Sequence, residues 1–263
     1  MITINPFSEL SALIPPLAMQ AYVILMVIFV AGGTILDMAH KKSAKYFFQN
    51  SQKAKKSATN EVSGSEKVSI AFKTATNEVL TSSEFCSTKR RVAHLLTMYG
   101  FLLFIVTTVI MIFNYSTTSN TPSILPLLWH LGAAMLCVGG YWFWFFIRVD
   151  VAAEGNKWYR VIRADLFVLS LLATCSFALI WSYLQACGIA GWQALFFGLF
   201  ILSSTILFGG VLWSKFAHMF FKPAAAFQKR ITKADGSREN LPAPADCPEQ
   251  FGLGIKREAP RHY

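Results

Sequence analysis

Two histidines lie at charged ends of long apolar segments, where they could bind a metal-containing cofactor. His94 lies in KRRVAHLLTMYGF (residues 89–101), with three cations before it and an apolar run after it. His218 lies in WSKFAHMFFKPAAAFQKR (residues 213–230), directly after another apolar run. Each histidine alone is typical of a membrane interface. Together, at one depth and on different helices, they predict a pair.

A bis-histidine haem b is the cofactor that such a pair would hold. It needs two imidazoles that face each other across the macrocycle, and His94 and His218 could supply them. Its propionates need cations, and Arg90, Arg91 and Lys215 are near enough in sequence to provide them. The alternative is that both histidines are only interfacial.

The other histidines carry weaker predictions. His130 is expected near the outer end of the third apolar run, with no histidine at its depth. It could serve a second haem only with another type of ligand. A quinone contact and a helix-packing hydrogen bond are equally open. We expect His40 on the same side as His94, and His262 as a solvated residue of the tail.

The composition is that of a membrane protein. Hydrophobic residues make up 54% of the chain and charged residues 14%, with a mean hydropathy of +0.44, whereas soluble domains carry about 25% charged residues. A spanning helix needs roughly 20 apolar residues. We therefore predict an all-α integral membrane protein with five transmembrane helices, the first of them uncleaved. The five runs are 17–36, 92–113, 124–147, 164–187 and 193–216.

The positive charge is confined to one set of connections. All 24 Lys and Arg residues lie within 37–91, 148–163 and 214–263. Cationic loops stay in the cytoplasm, so we predict an outside N-terminus, a cytoplasmic C-terminus and a multi-pass protein of the bacterial inner (cytoplasmic) membrane. The predicted regions are an N-terminus with the first helix (1–36), a basic cytoplasmic arm (37–91), helices two to five (92–216) and a cytoplasmic tail (217–263).

The arm and the tail differ in character. The arm is polar and contains SATNEV (57–62) and TATNEV (74–79). It could form a surface helix or a partly disordered segment. The tail contains several isolated prolines, which predict an extended chain. The excess of cations suits either anionic lipid headgroups or a docking surface for a cytoplasmic partner.

Several function classes are disfavoured. The 5 cysteines show no ligand spacing, so we predict no iron–sulfur or zinc site. No acidic residue lies in the middle of an apolar run, which disfavours a proton pump or an ion-coupled transporter. No basic stripe is interleaved with stacking aromatics, so nucleic acid is not an expected partner.

The two histidine segments, with ADGSRENLP (234–242) after the second, resemble the nitrate-reductase gamma-type membrane cytochrome b family. The most similar branch is the membrane domain of the C subunit of the quinone-interacting Qmo complex, with its heterodisulfide-reductase relatives. The resemblance covers about residues 85–245, and the pattern SKxxHMF recurs at this helix end across the family. It implies b haems that carry electrons between a membrane quinone and a cytoplasmic redox partner, with His94 and His218 as axial ligands.

The sequence departs from the family pattern in two ways. No cysteine-rich iron–sulfur domain precedes the membrane part, and the second histidine that a two-haem member carries on helices two and five is missing. One haem, or none, is therefore expected. The implied partner is a cytoplasmic flavin/iron–sulfur oxidoreductase, adenylylsulfate reductase, with the chain as a subunit rather than the catalytic one. The alternatives are a cofactor-free structural anchor and a cytochrome b subunit of a heterodisulfide-reductase-like complex.

Overall fold

The computed structural model describes residues 2–41, 43–83, 85, 87–117, 120–150, 155–214 and 218–238, without the side chains of residues 41, 43, 44, 218 and 220. Over these residues the protein is helical and contains no strand. The helices are α1 (Pro6–Leu10), α2 (Pro16–Lys41), α3 (Ser43–Lys56), α4 (Gly64–Thr74), α5 (Thr88–Asn114), α6 (Ile124–Trp142), α7 (Leu166–Ala186), α8 (Ala190–Gly209) and α9 (His218–Ala234). π-helical turns extend α4 (Ala75–Leu80) and α6 (Phe143–Ile147), and a 3₁₀ turn precedes α7 (Arg163–Asp165).

In the described part of the chain, five helices are long and apolar enough to cross a membrane, which confirms the predicted number. They are Pro16–His40, Thr88–Asn114, Ile124–Ile147, Arg163–Ala186 and Ala190–Gly209. Most of their side chains are not buried inside the protein. This pattern fits helices that face lipid, because hydrocarbon solvates apolar side chains as well as a protein core does.

The predicted end of the fifth transmembrane helix is wrong. α8 ends at Gly209, not at residue 216, and His218 begins a separate helix, α9. The helix ends where the backbone of Gly210 leaves helical geometry, at φ −81° and ψ 11°. A Cβ at Gly210 would also meet the carbonyl oxygen of Ile206, so this turn requires glycine. His218 is therefore not in the last turn of a transmembrane helix.

The chain divides into two compact units. The first contains Met1–Asp37 and Lys89–Ala217, and so holds most of α2 and α5 and all of α6 to α8. The second contains Met38–Thr88 and His218–Tyr263, and within its described part α3 and α4 pack against α9. In the second unit, the Arg230 guanidinium pairs with Glu78 at 2.8 Å. The backbone N–H groups of Thr59 and Asn60 donate to the Asp235 carbonyl at 2.9 and 3.0 Å.

The repeated hexapeptide folds in two ways within the second unit. The first copy, 57–62, lies outside any helix, whereas the second copy, 74–79, continues α4 as a π-helical turn. α4 begins after the first copy, where the Ser63 hydroxyl accepts a hydrogen bond from the Glu66 N–H at 3.2 Å. This cap satisfies one of the free N–H groups of the first turn. Sequence context, and not the hexapeptide itself, decides the conformation.

In the first unit, α5 and α6 meet at a glycine contact. A Cβ added to Gly100 would lie 2.7 Å from the Gly132 carbonyl oxygen and from the Leu136 nitrogen. One added to Gly132 would lie 2.8 Å from the Gly100 carbonyl oxygen and from the Phe104 nitrogen. Small residues at such crossings let two membrane helices approach backbone to backbone.

Gly100→Leu is expected to destabilise the bundle by about 3 kcal/mol, the upper end of the usual overpacking cost, because the obstructing atoms belong to the backbone and cannot rotate away. The measurement is the midpoint of thermal unfolding in detergent, followed by tryptophan fluorescence. Gly198→Leu is the matched control, since no atom lies within 4 Å of a Cβ at that position of α8. Equal midpoints for the two variants would contradict the close crossing.

Candidate functional site

His94 lies in the second turn of α5 and is half-buried. The residue before it, Ala93, is buried, and its carbonyl oxygen lies 2.6 Å from a Cβ built on Gly139 of α6. The Thr97 hydroxyl donates to the same carbonyl at 2.9 Å. His94 is one residue on, about 100° around the helix. The α5 backbone at His94 is therefore held against α6. The His94 position itself lies beside the packed face of α5 and not on it.

The cations predicted to accompany His94 share its helix face. Arg90 and Arg91 precede His94 by four and three residues on α5, and side chains at these spacings are neighbours on a helix surface. Both arginines are half-buried. Two guanidinium groups beside an imidazole provide donors of the type that two carboxylates of a ligand would need.

His218 is the first residue of α9. Its side chain and the whole of Lys215 fall outside the described residues, so the pairing of His94 with His218 stays a prediction. His94 belongs to the first unit, which contains Lys89–Ala217, and His218 is the first residue of the last segment of the second unit.

A metal ion and a haem require different sets of protein ligands. No group of three or more His, Cys, Asp or Glu side chains in the described part of the chain could hold a metal ion. A bis-histidine haem takes only two protein ligands. The half-buried imidazole of His94, next to Arg90 and Arg91 at the end of an apolar helix, has the chemistry of one axial ligand with cations for the propionates.

His130 makes two hydrogen bonds inside the bundle. Its Nδ1 lies 2.7 Å from the Pro126 carbonyl oxygen, and its Nε2 lies 2.8 Å from the Ser182 hydroxyl. A carbonyl can only accept, so Nδ1–H donates to it, and in the neutral ring Nε2 accepts from Ser182. This arrangement joins α6 to α7 and supports the helix-packing alternative. The quinone contact and the second haem stay predictions for this residue.

A short N-terminal helix covers the aromatic groups beside His130, which the sequence analysis did not foresee. Phe7 of α1 lies 5.8 Å from Trp129 and 5.5 Å from Trp181 between ring centroids. The Asn5 amide donates to the Tyr115 carbonyl at 2.8 Å and so ties α1 to the end of α5. Phe7, Trp129 and Trp181 are all buried. Five residues are too few for a periodic pattern, although Asn5 before Pro6 is a recognisable helix start.

Arg148 is a second residue that the sequence analysis did not single out. It is 1% exposed and pairs with Asp165 at 2.5 Å. It also donates to the carbonyls of Lys157 and Arg160, at 3.0 and 2.7 Å. Its guanidinium carbon lies 4.2 Å from the ring centroid of Trp144. Arg148 therefore fixes the end of α6 to the connection that leads into α7. Its position one helical turn after Trp144 is the sequence feature that could have indicated this contact.

The fold and the composition define a class, that of multi-pass α-helical membrane proteins. Within this class, no protein-family model, no curated protein and no solved structure matches the chain.

Proposed function

We propose that the protein is the membrane anchor and electron-transfer subunit of a bacterial inner-membrane oxidoreductase complex. It links a cytoplasmic flavin/iron–sulfur oxidoreductase to the quinone pool through a b-type haem. The observation that carries this proposal is the placement of His94 with Arg90 and Arg91 at the end of an apolar helix.

The particular complex is proposed from the family resemblance. A short, cluster-free relative of the nitrate-reductase gamma-type cytochromes resembles the membrane anchor of dissimilatory adenylylsulfate reductase. The proposed partner is accordingly adenylylsulfate reductase, and the sulfur chemistry belongs to that partner.

The roles of the residues follow from their chemistry. His94 and His218 would hold the haem iron through one imidazole nitrogen each, and the haem supplies a one-electron carrier when bound. Arg90 and Arg91, with Lys215, would neutralise the two propionates. These cations also favour the redox state of the haem that has the more negative net charge, because nearby positive charge stabilises it.

The orientation belongs to the same proposal. The second unit carries α3, α4 and α9, whose cations belong to the basic connections that the positive-inside rule places in the cytoplasm. α1 and the end of α5, which are joined by the Asn5–Tyr115 hydrogen bond, would then lie on the opposite side of the membrane. A basic cytoplasmic unit steers an acidic partner towards the membrane and loses this advantage at high salt.

Affinity purification of the tagged full-length chain from its native membranes is expected to bring down a soluble protein that contains flavin and non-haem iron. The yield of this protein should fall as salt is raised, because clustered exposed charges are screened. Flavin fluorescence and iron content of the eluate are the measurements. An eluate with neither flavin nor iron at low salt would contradict the proposed partner class.

A further inference from the structure

Helix α4 has one packed face. It packs against α9 in the second unit, Thr74 is buried at its end, and Ile70 one turn earlier is half-buried. The following turn is tied to α9 by the Glu78–Arg230 pair at 2.8 Å. These contacts fix which side of α4 faces the protein.

The opposite face of α4 is apolar and uncovered. Val68 and Phe72 lie two residues before and after Ile70, so each is about 200° around the helix from it. They are one turn apart and each is 70% exposed. Large exposed apolar side chains that line up on one helix face mark an interaction surface. We call Val68 and Phe72 the α4 stripe.

Lysines flank the α4 stripe on its own helix and recur on α3 of the same unit. Lys67 and Lys73 are exposed on α4 itself. In the same unit, the last turn of α3 contains Lys53, Lys55 and Lys56. α3 also exposes two large aromatic side chains, Tyr46 and Phe48, at 61% and 63%. A helix with lysines on its polar side and large apolar residues on the other is typical of segments that lie in a membrane interface.

The type of cation distinguishes a lipid surface from a protein partner. Every cation on α3 and α4 is a lysine. Lysine is depleted in protein–protein interfaces, where arginine and aromatic residues are enriched. Lysine side chains near a bilayer instead lay their stems along apolar surface and reach the headgroups with their charge. The composition therefore favours anionic lipid over a protein.

Chain connections keep this region close to the bilayer. α3 starts at Ser43, directly after the spanning helix α2, which ends at Lys41. On the other side, the turn Ala75–Leu80 is followed by the spanning helix α5, which starts at Thr88. A segment attached to spanning helices at both ends cannot move far from the membrane surface.

We propose that the α4 stripe docks onto the anionic lipid surface, with Val68 and Phe72 among the headgroups and first acyl carbons and the flanking lysines against the phosphates. This inference does not depend on the proposed electron-transfer function. It assigns α4 as an interfacial helix that holds the second unit against the membrane.

The test places a nitroxide at position 72 of the full-length chain. Phe72→Cys is made in a background whose native cysteines are replaced by alanine, and the labelled protein is reconstituted into nanodiscs of phosphatidylcholine with phosphatidylglycerol. Lys229→Cys is the matched control, because Lys229 is exposed on α9, the helix against the other face of α4. The measurement is collision with oxygen, which concentrates in lipid, and with a nickel chelate, which stays in water.

The label at position 72 is expected to collide with oxygen several-fold more than with nickel, and the label at position 229 to show the reverse. Phosphatidylcholine alone should weaken the preference at position 72.

Nickel preference at position 72 in anionic nanodiscs would overturn the proposal. So would an equally strong oxygen preference at position 72 in phosphatidylcholine alone, because the lysines would then contribute nothing to docking. The label could also be protected from both reagents and lose this protection when the chain is truncated after residue 238. That result would assign the α4 stripe to the C-terminal segment, and would also overturn the proposal.

Discussion

His94→Ala is expected to remove the b-type haem from the protein completely, and His218→Ala is expected to do the same. A low-spin bis-histidine site needs both axial imidazoles, so one alanine leaves the iron without half of its protein ligands. The measurement is the reduced-minus-oxidised absorption spectrum of the purified variants, at equal protein concentration. The fold should survive His94→Ala, because His94 is only half-buried and the packed face of α5 is formed by its neighbours.

The matched control for the ligand variants is His262→Ala, which should leave the spectrum unchanged. His40→Ala is a second control, since His40 is exposed at the end of α2. A double variant of His94 and His218 that keeps a wild-type b-type spectrum would show that the ligand assignment is wrong.

Arg148→Met is expected to lower the free energy of unfolding by about 3–5 kcal/mol, the usual cost of removing one partner of a buried ion pair. The substitution leaves Asp165 and the carbonyls of Lys157 and Arg160 without the guanidinium that binds them. The measurement is the midpoint of thermal or chemical unfolding in detergent.

The control for Arg148 is Arg163→Met, which removes an exposed cation from the same connection and should change the midpoint little. Exposed charges contribute at most about 1 kcal/mol. Adding Asp165→Asn to Arg148→Met should recover part of the loss, because it removes the uncompensated charge. A wild-type midpoint for Arg148→Met would contradict the buried role of this residue.

The transmembrane helices could be predicted from the sequence because lipid imposes a simple requirement. Each span needs an uninterrupted apolar run of about 20 residues, and five such runs correspond to five observed helices. The end of the fifth was misplaced because hydropathy continues through Val211 and Leu212. Gly209 and Gly210, where the helix ends, are themselves nearly neutral in hydropathy. The helix end depends on backbone conformation, which a hydropathy pattern does not record.

The candidate site was partly accessible to sequence reasoning. The position of His94 near the start of α5 follows from the cations before it and the apolar run after it, and the structure places it there. Arg148 was missed because it was counted among the cations of a loop, although its contacts are with distant carbonyls and Asp165. Such contacts depend on how the loop folds back. α1 was missed because its role comes from the packing of Phe7 between two tryptophans.

The most direct test of the proposed function is the number of haem groups per chain, measured by the pyridine haemochrome assay on the purified full-length protein with independently quantified protein. The proposed pair, His94 and His218, predicts one haem b per chain and a low-spin spectrum. A protein that contains no haem after purification from haem-replete native membranes would contradict the electron-transfer proposal and identify the chain as a cofactor-free structural anchor.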